Sequence, residues 1–294
     1  MSIGRADHTA SSLANGSILV AGGYNSGGVM NSTELYNPST GTWITTGNMN
    51  VKRQYHTAST LANGLLLAAG GYNGASYSNS SELYNPSTGT WTMTGNLNVA
   101  RGEHTASTLA NGSVLVAGGY NGGGVMNSTE LYNPSTGTWT TTISMNIVRR
   151  FHTASTLANG LVLVAGGQIT AGYLNSAELY DPSTGTWTMT GNLNVARAYH
   201  TASPLADGSV LVTGGQSTAG YLNSAELYDP STGIWTTTAN MSIGRYYHTA
   251  STLANGFVLV AGGGNSSIVY LNTAELYNPS IGTWTMTENL NVAR

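Results

Sequence analysis

The stretch RADHTASSLANGSILVAGG, residues 5–23, returns five more times along the 294 residues, opening as RQYHTAS, RGEHTAS, RRFHTAS, RAYHTAS and RYYHTAS. His8, His56, His104, His152, His200 and His248 are spaced by 48 throughout. Trp43, Trp91, Trp139, Trp187, Trp235 and Trp284 keep the same period, with one residue inserted in the last copy. Self-similarity at this period marks a repeat architecture, in which each unit buries its apolar face only by stacking on its neighbours. The reading is a single domain of six repeats, approximately 5–52, 53–100, 101–148, 149–196, 197–244 and 245–294.

Within a repeat, HTASTL alternates small and polar residues, and LANG or LADG supplies a tight turn. An apolar, β-branched run such as SVLVAGG follows and closes on two glycines. After a variable loop come N-S-x-E-L-Y, a Pro- and Gly-punctuated turn N/D-P-S-T-G-T, and W-T-x-T. No helical periodicity is present. Four short strands at this period predict an all-β, six-bladed β-propeller with four antiparallel strands per blade. The segment LNVAR at 290–294 holds the repeat position of residues 1–5, and a closed ring is expected to need only one of them. MSIGR at the start recurs at 241–245, which reads as a cut from a longer protein at a repeat boundary.

The paired glycines (Gly22 and Gly23), Tyr36 and Trp43, with their equivalents, resemble the kelch repeat. The wording HTAS-L-NG-VLVAGG … ELY-P-TG-W is most similar to the kelch repeats of galactose-oxidase-like proteins. The resemblance covers the whole chain and implies a kelch propeller. It implies little about chemistry, because the fold hosts binding modules and enzymes alike. The copper chemistry of galactose oxidase requires a cysteine cross-linked to a tyrosine, and this chain has no cysteine, so that activity is not carried over.

Composition narrows the function further. Only 7% of residues are charged and the net charge is −3 without a basic run, which argues against nucleic acid or an anionic membrane as partner. No apolar stretch is long enough to span a bilayer, and no signal peptide is visible. The compartment stays open, since secreted and cytosolic proteins alike can lack cysteine. Seven N-x-S/T sequons, at Asn15, Asn31, Asn79, Asn111, Asn127, Asn240 and Asn265, read mostly as chance in so Asn- and Ser-rich a chain. No cofactor is expected. There is no G-x-S-x-G elbow or H-E-x-x-H, and the glycine pairs precede no helix.

The recurring polar residues read as framework. Six equivalent histidines suit a hydrogen bond anchoring each blade better than a metal site, whose local ligand spacing is absent. Seven arginines (Arg5, Arg53, Arg101, Arg149, Arg197, Arg245, Arg294) and six glutamates (Glu34, Glu82, Glu130, Glu178, Glu226, Glu275) recur. A glutamate flanked by apolar strand residues needs a partner, and the arginine of the same or next blade is the candidate. The repeated Tyr and Trp are expected to pack between blades, and the glycine pair to permit close backbone approach.

What varies lies in two places: the pair between Arg and His, and the loop after Gly-Gly. In an up-and-down blade these connections emerge together. Eleven of the 17 tyrosines, and Phe151, fall in them; the other six tyrosines are framework. Clustered exposed aromatics suggest recognition. The expected function is therefore a non-enzymatic binding module for a protein or peptide, with a carbohydrate as the alternative, on a monomeric chain. A purely structural module of a larger protein and an enzyme are the weaker readings. The expected ligand-binding residues are Asp7, Gln54, Tyr55, Glu103, Arg150, Phe151, Tyr199, Tyr246 and Tyr247, placed around the channel mouth. Asp7 and Glu103 are also the one conceivable acid/base pair.

Overall fold

The short alternating segments form strands because their β-branched and small residues suit a half-buried pleated surface, and each is closed by turn residues. The computed structural model describes residues 1–266 and 270–294. The described residues form six four-stranded antiparallel sheets, the blades of an all-β propeller fold, and contain no helix. In the third repeat the strands are Thr105–Thr108, Val114–Ala117, Thr129–Asn133 and Thr138–Thr142, paired in chain order. The chain divides into two compact units, Met1–Val148 and Arg149–Arg294, each carrying three of the repeats. Four of the variable loops add a two-residue ribbon that their glycine-rich sequences did not announce, as in Tyr120–Asn121 with Gly124–Val125.

The apolar core lies between successive blades. Leu61, Leu67 and Ala69 of the second repeat pack with Val114, Val116, Tyr132 and Trp139 of the third. In the second unit, Leu157, Leu163 and Ala165 of the fourth repeat meet Val210, Val212, Tyr228 and Trp235 of the fifth. Tyr132 and Trp139 are cross-strand neighbours with ring centroids 5.1 Å apart, and the Tyr132 hydroxyl reaches the preceding repeat, 2.9 Å from Thr94 Oγ1. A blade alone would leave this surface in water, so the fold needs consecutive copies.

Arginine joins the copies. The Arg101 guanidinium donates from Nη1 to the Gly118 and Ser128 carbonyls at 2.8 and 2.9 Å, and from Nη2 to Glu130 Oε1 at 2.8 Å. Its main chain serves the preceding repeat: Gly71 N–H donates to the Arg101 carbonyl at 2.8 Å, and Arg101 N–H donates to Ser78 O at 3.2 Å. Glu130 in turn accepts from the Asn98 and Val99 N–H groups at 2.6 and 3.0 Å. All six Arg–Glu pairs form within a repeat, at 2.7–3.0 Å, with side chains buried. The glycine pair exists for this approach: a Cβ on Gly70 would stand 2.5 Å from the Arg101 carbonyl oxygen, and the φ of +65° excludes most side chains.

Both copies of the terminal segment are used, which corrects the expectation that one is superfluous. Ser2 donates from its N–H and hydroxyl to Glu34 Oε2 at 2.7 and 2.8 Å, the place Asn98 holds on Glu130. In the second unit the Arg294 carbonyl accepts from Gly263 N–H at 2.7 Å, as Arg101 does from Gly71. Deleting residues 1–4 is therefore expected to cost about 1–3 kcal/mol, the loss of donors to a buried carboxylate. Denaturant unfolding measures it, and unchanged stability would return the segment to a dispensable overhang.

His56, His104, His200 and His248 are buried and bonded to a threonine of the preceding repeat. His56 Nε2 lies 3.1 Å from Thr9 Oγ1 and His248 Nε2 lies 3.0 Å from Thr201 Oγ1, each bond reaching back to the preceding repeat. Burial, reinforced by Arg53 and Arg245, holds His56 and His248 at a pKa of about 3, against an ordinary 6.5. His104 and His200 are lowered well below the ordinary value for the same reasons. The folded state thus keeps these rings neutral, while the unfolded chain protonates them below 6.5. Stability is complete above that value and falls with pH down to about 3, by about 1.4 kcal/mol per pH unit for each ring. Urea titrations between pH 7 and 4 are expected to show this fall, and His248→Gln to reduce its slope. A flat profile would contradict the neutral buried rings.

Candidate functional site

Within each blade the two variable segments are bonded to one another. The first residue of the Arg-x-x-His pair bridges the first residue after Gly-Gly: Ala6 with Tyr24, Gln54 with Tyr72, Gly102 with Tyr120, Arg150 with Gln168, Ala198 with Gln216, and Tyr246 with Gly264. Two backbone hydrogen bonds make each bridge, such as Tyr246 N–H to Gly264 O at 3.0 Å and Gly264 N–H to Tyr246 O at 2.9 Å. In the sixth repeat a ring faces a glycine: a Cβ on Gly264 would stand 2.8 Å from Cε1 of its bridge partner Tyr246. Gly102 makes room instead for Tyr77 of the preceding repeat, whose Cε1 would stand 3.0 Å from a Cβ there.

The second residue of each pair has a conformation the sequence conceals. Asp7, Tyr55, Glu103, Phe151, Tyr199 and Tyr247 all lie in the left-handed region, with φ between +52° and +59°. For a residue with a Cβ this costs roughly 1–2 kcal/mol, and only Gly, Asn and Asp visit it readily. The backbone is held there on both sides by the bridge and the anchored histidine. Successive copies are also tied directly: Tyr55 N–H to Asp7 O at 3.3 Å, Glu103 N–H to Tyr55 O at 3.0 Å, Tyr199 N–H to Phe151 O at 3.1 Å and Tyr247 N–H to Tyr199 O at 3.2 Å.

In the first unit, Asp7, Tyr55 and Glu103 follow one another along this ladder. Burial pushes the Asp7 carboxyl above the ordinary carboxylate range, against a hydrogen bond from Tyr55. Glu103 Oε1 accepts from the Tyr77 hydroxyl at 3.2 Å, and Tyr77 packs between Tyr72 and Tyr120 with centroids 5.4 and 5.3 Å away. Gln54 is half-buried in its bridge. Tyr72, Tyr77 and Tyr120 belong with this group by contact and were not among the predicted site residues.

In the second unit, Phe151, Tyr199 and Tyr247 are drawn together: centroids 4.3 Å apart for the first pair, 4.6 Å for the second and 6.1 Å between the outer two. Tyr246 joins at 5.3 Å from Tyr247 and stacks on Tyr221 at 4.7 Å. The Arg150 guanidinium carbon stands 5.2 Å from the Phe151 centroid. Tyr221 is the member that sequence reasoning missed; it comes from a variable loop already noted as aromatic. Part of the equivalent loop of the sixth repeat, residues 267–269, lies outside the described residues.

Two surface cavities, of about 290 and 360 Å³, lie elsewhere, among the Asn63–Leu65 and Asn85–Ser87 turns and around Asp207 and Asp229. Among the described residues no three His, Asp, Glu or Cys side chains gather into a metal site.

The left-handed backbone yields a direct test. Tyr247 is 49% exposed, so Tyr247→Gly removes strain at the expense of a partly wet ring. Its melting temperature is expected to equal or exceed that of the wild type. By contrast Tyr228→Ala, at a fully buried framework ring, is expected to cost about 3–5 kcal/mol. A large loss for Tyr247→Gly would make that ring a packing residue.

A model of the KLHDC2/KLHL20/DRC7 Kelch-repeats domain matches residues 2–148, and the Kelch motif matches residues 149–194, 197–242 and 245–291. No curated protein matches the chain. Among solved structures, a fungal alcohol oxidase of the AA5 family in complex with copper is similar with a TM-score of 0.78 at 20% identity, over 99% of this chain and 66% of the oxidase. This chain thus spans a little under two thirds of that protein's length, and at this identity the likeness shows the fold alone. The paired glycines, the Tyr–Trp cross-strand pairs, the four-stranded blades and the two family matches together place the chain in the kelch-repeat family of β-propellers.

Proposed function

We propose that this chain is a binding module that holds a protein or peptide partner on the surface formed, in each unit, by the Arg-x-x-His pairs and the loops after Gly-Gly. In the first unit the contact residues are Asp7, Gln54, Tyr55 and Glu103; in the second they are Arg150, Phe151, Tyr199, Tyr246 and Tyr247. Kelch propellers commonly serve as protein-interaction modules, which agrees with this reading.

The observation that carries it is the left-handed backbone. Drift at a strained position drifts toward glycine or asparagine, which this chain uses freely elsewhere. Five of the six positions instead hold Tyr, Phe or Glu, none of which visits that conformation readily. Strain of this kind persists where side chains serve something other than the fold. Tyr and Phe supply large contact area with few rotamers to immobilise, which suits recognition. A carbohydrate is the second reading, favoured by tyrosine rings set in a surface rich in Asn, Ser and Thr and poor in charge.

A phage-displayed random peptide library selected on the intact chain tests the proposal. Enrichment is expected on the wild type and on Ser39→Ala, which changes a turn outside the two variable segments. It is expected to be lost on the double variant Phe151→Ala, Tyr247→Ala, whose melting temperature should stay near that of the wild type. Equal enrichment on the double variant would place the site elsewhere, and enrichment only by oligosaccharides on a glycan array would favour the second reading.

A further inference from the structure

Seven Asn-Gly pairs occur in the chain, and the structure sets one of them apart. An asparagine followed by glycine is chemically labile, because the next backbone nitrogen, unshielded by a side chain, can attack the side-chain amide. Three atoms govern the rate: the attacking nitrogen, the amide oxygen that takes up charge, and the amide nitrogen that leaves.

Five of the pairs lie in the LANG turns, as Asn15-Gly16 and Asn63-Gly64 do. In all five the attacking nitrogen is committed: the glycine N–H donates to the carbonyl of the turn's leucine at 2.9 Å. The asparagine oxygen accepts a single backbone N–H, such as that of Ser17 on Asn15 Oδ1 at 3.0 Å. In the sixth pair, Asn121-Gly122, the oxygen again accepts one N–H, from Gly123 at 2.8 Å. There the leaving nitrogen is held as well, since Asn121 Nδ2 donates to the Ala100 carbonyl at 3.2 Å.

Asn73-Gly74, in the loop after Gly-Gly of the second repeat, differs at all three atoms. The N–H groups of Ala75 and Ser76 both donate to Asn73 Oδ1, each at 2.9 Å. Among the described residues, neither the Gly74 N–H nor Asn73 Nδ2 has a hydrogen-bond partner. Gly74, Ala75 and Ser76 are exposed, so water reaches the loop. Two fixed donors on an oxygen that develops charge are the arrangement that speeds acyl transfer.

We propose that Asn73 is a self-modification site, converted to aspartate or isoaspartate by attack of the Gly74 backbone nitrogen. The nitrogen gives its proton to solvent and bonds to Asn73 Cγ, and the electron pair pushed onto Oδ1 is received by the Ala75 and Ser76 N–H groups. The Cγ–Nδ2 bond then breaks, and Nδ2 takes a proton from water and leaves as ammonia. One water molecule opens the resulting cyclic imide at either carbonyl. The aspartate product can keep the loop: Asp207, which stands where other repeats have the turn asparagine, accepts the Ser209 N–H at 2.9 Å just as Asn15 accepts that of Ser17. The new carboxylate lies between Tyr72 and Tyr77 in sequence, two rings with centroids 5.4 Å apart, and makes the chain one charge more negative. The proposal does not depend on the reading of this surface as a binding site.

Ageing of the intact chain in warm neutral buffer, with conversion at each Asn-Gly pair followed by peptide mapping and mass spectrometry, is the test. Asn73 is expected to convert about tenfold or more faster than the turn asparagines, a modest share of the roughly 100-fold that one such donor contributes in an enzyme. In guanidinium chloride, where loop and turns are lost, the seven pairs are expected to convert at similar rates. Ala75→Pro, which removes one of the two donors, is expected to slow Asn73 several-fold, with circular dichroism confirming the fold. Equal rates at Asn73 and the turn asparagines in the native chain, or the same ranking in native and denatured chains, would overturn the proposal. An unchanged Asn73 rate in folded Ala75→Pro would do so too, and the comparison of native with denatured chain stands whether or not that variant folds.

Discussion

One arginine per repeat holds this fold together. Its main chain closes the glycine pair of the repeat before it, and its guanidinium closes the glycine pair and binds the glutamate of its own. The glutamate then accepts the backbone N–H groups of the segment that connects the two. A charge pair buried this deeply is favourable only when its remaining donors and acceptors find partners, and here carbonyls and amides supply them. The arrangement turns a costly burial into a joint that fixes how each blade meets the next. The apolar contacts between blades, such as Leu67 and Ala69 against Val114 and Val116, contribute area; the arginine sets their register.

That joint explains why the residues beside it are free to vary. Arg and His at the ends of the four-residue motif are both pinned, the one by its ion pair and the other by the threonine of the preceding repeat. The two residues between them are then placed by the backbone whatever their side chains. The first pairs with the loop after Gly-Gly and the second is turned into the left-handed region. A scaffold that over-determines a position can carry a side chain unsuited to that backbone, and does so here with Tyr, Phe and Glu. Stability thus rests on the pinned Arg and His, and the proposed recognition on the residues between them.

Much of this was legible in the repeat. The 48-residue period, the four strand segments, the glycine pairs and the apolar context of the glutamates led directly to kelch blades and an Arg–Glu network. The grouping of the variable residues in two loops was also legible, and the bridges join those two loops in every repeat. Two things were not. A left-handed backbone announces itself through Gly or Asn, and Tyr199 or Phe151 gives no such sign. The role of residues 1–5 was misread because the repeat position they share with 290–294 suggested redundancy, whereas Ser2 and Arg294 each complete a different blade's hydrogen bonds.

The joint is tested most directly by a double-mutant cycle on Arg101 and Glu130, with unfolding followed in urea for Arg101→Met, Glu130→Leu and the pair. Each single change leaves a buried charge without its partner and is expected to cost about 3–5 kcal/mol. The double variant is expected to cost well below the sum, giving a coupling energy of about 2 kcal/mol or more, as residues in one buried network do. Additive costs, with a coupling energy near zero, would contradict the account, because the blades would then be held by apolar packing alone and the arginine would be an incidental neighbour.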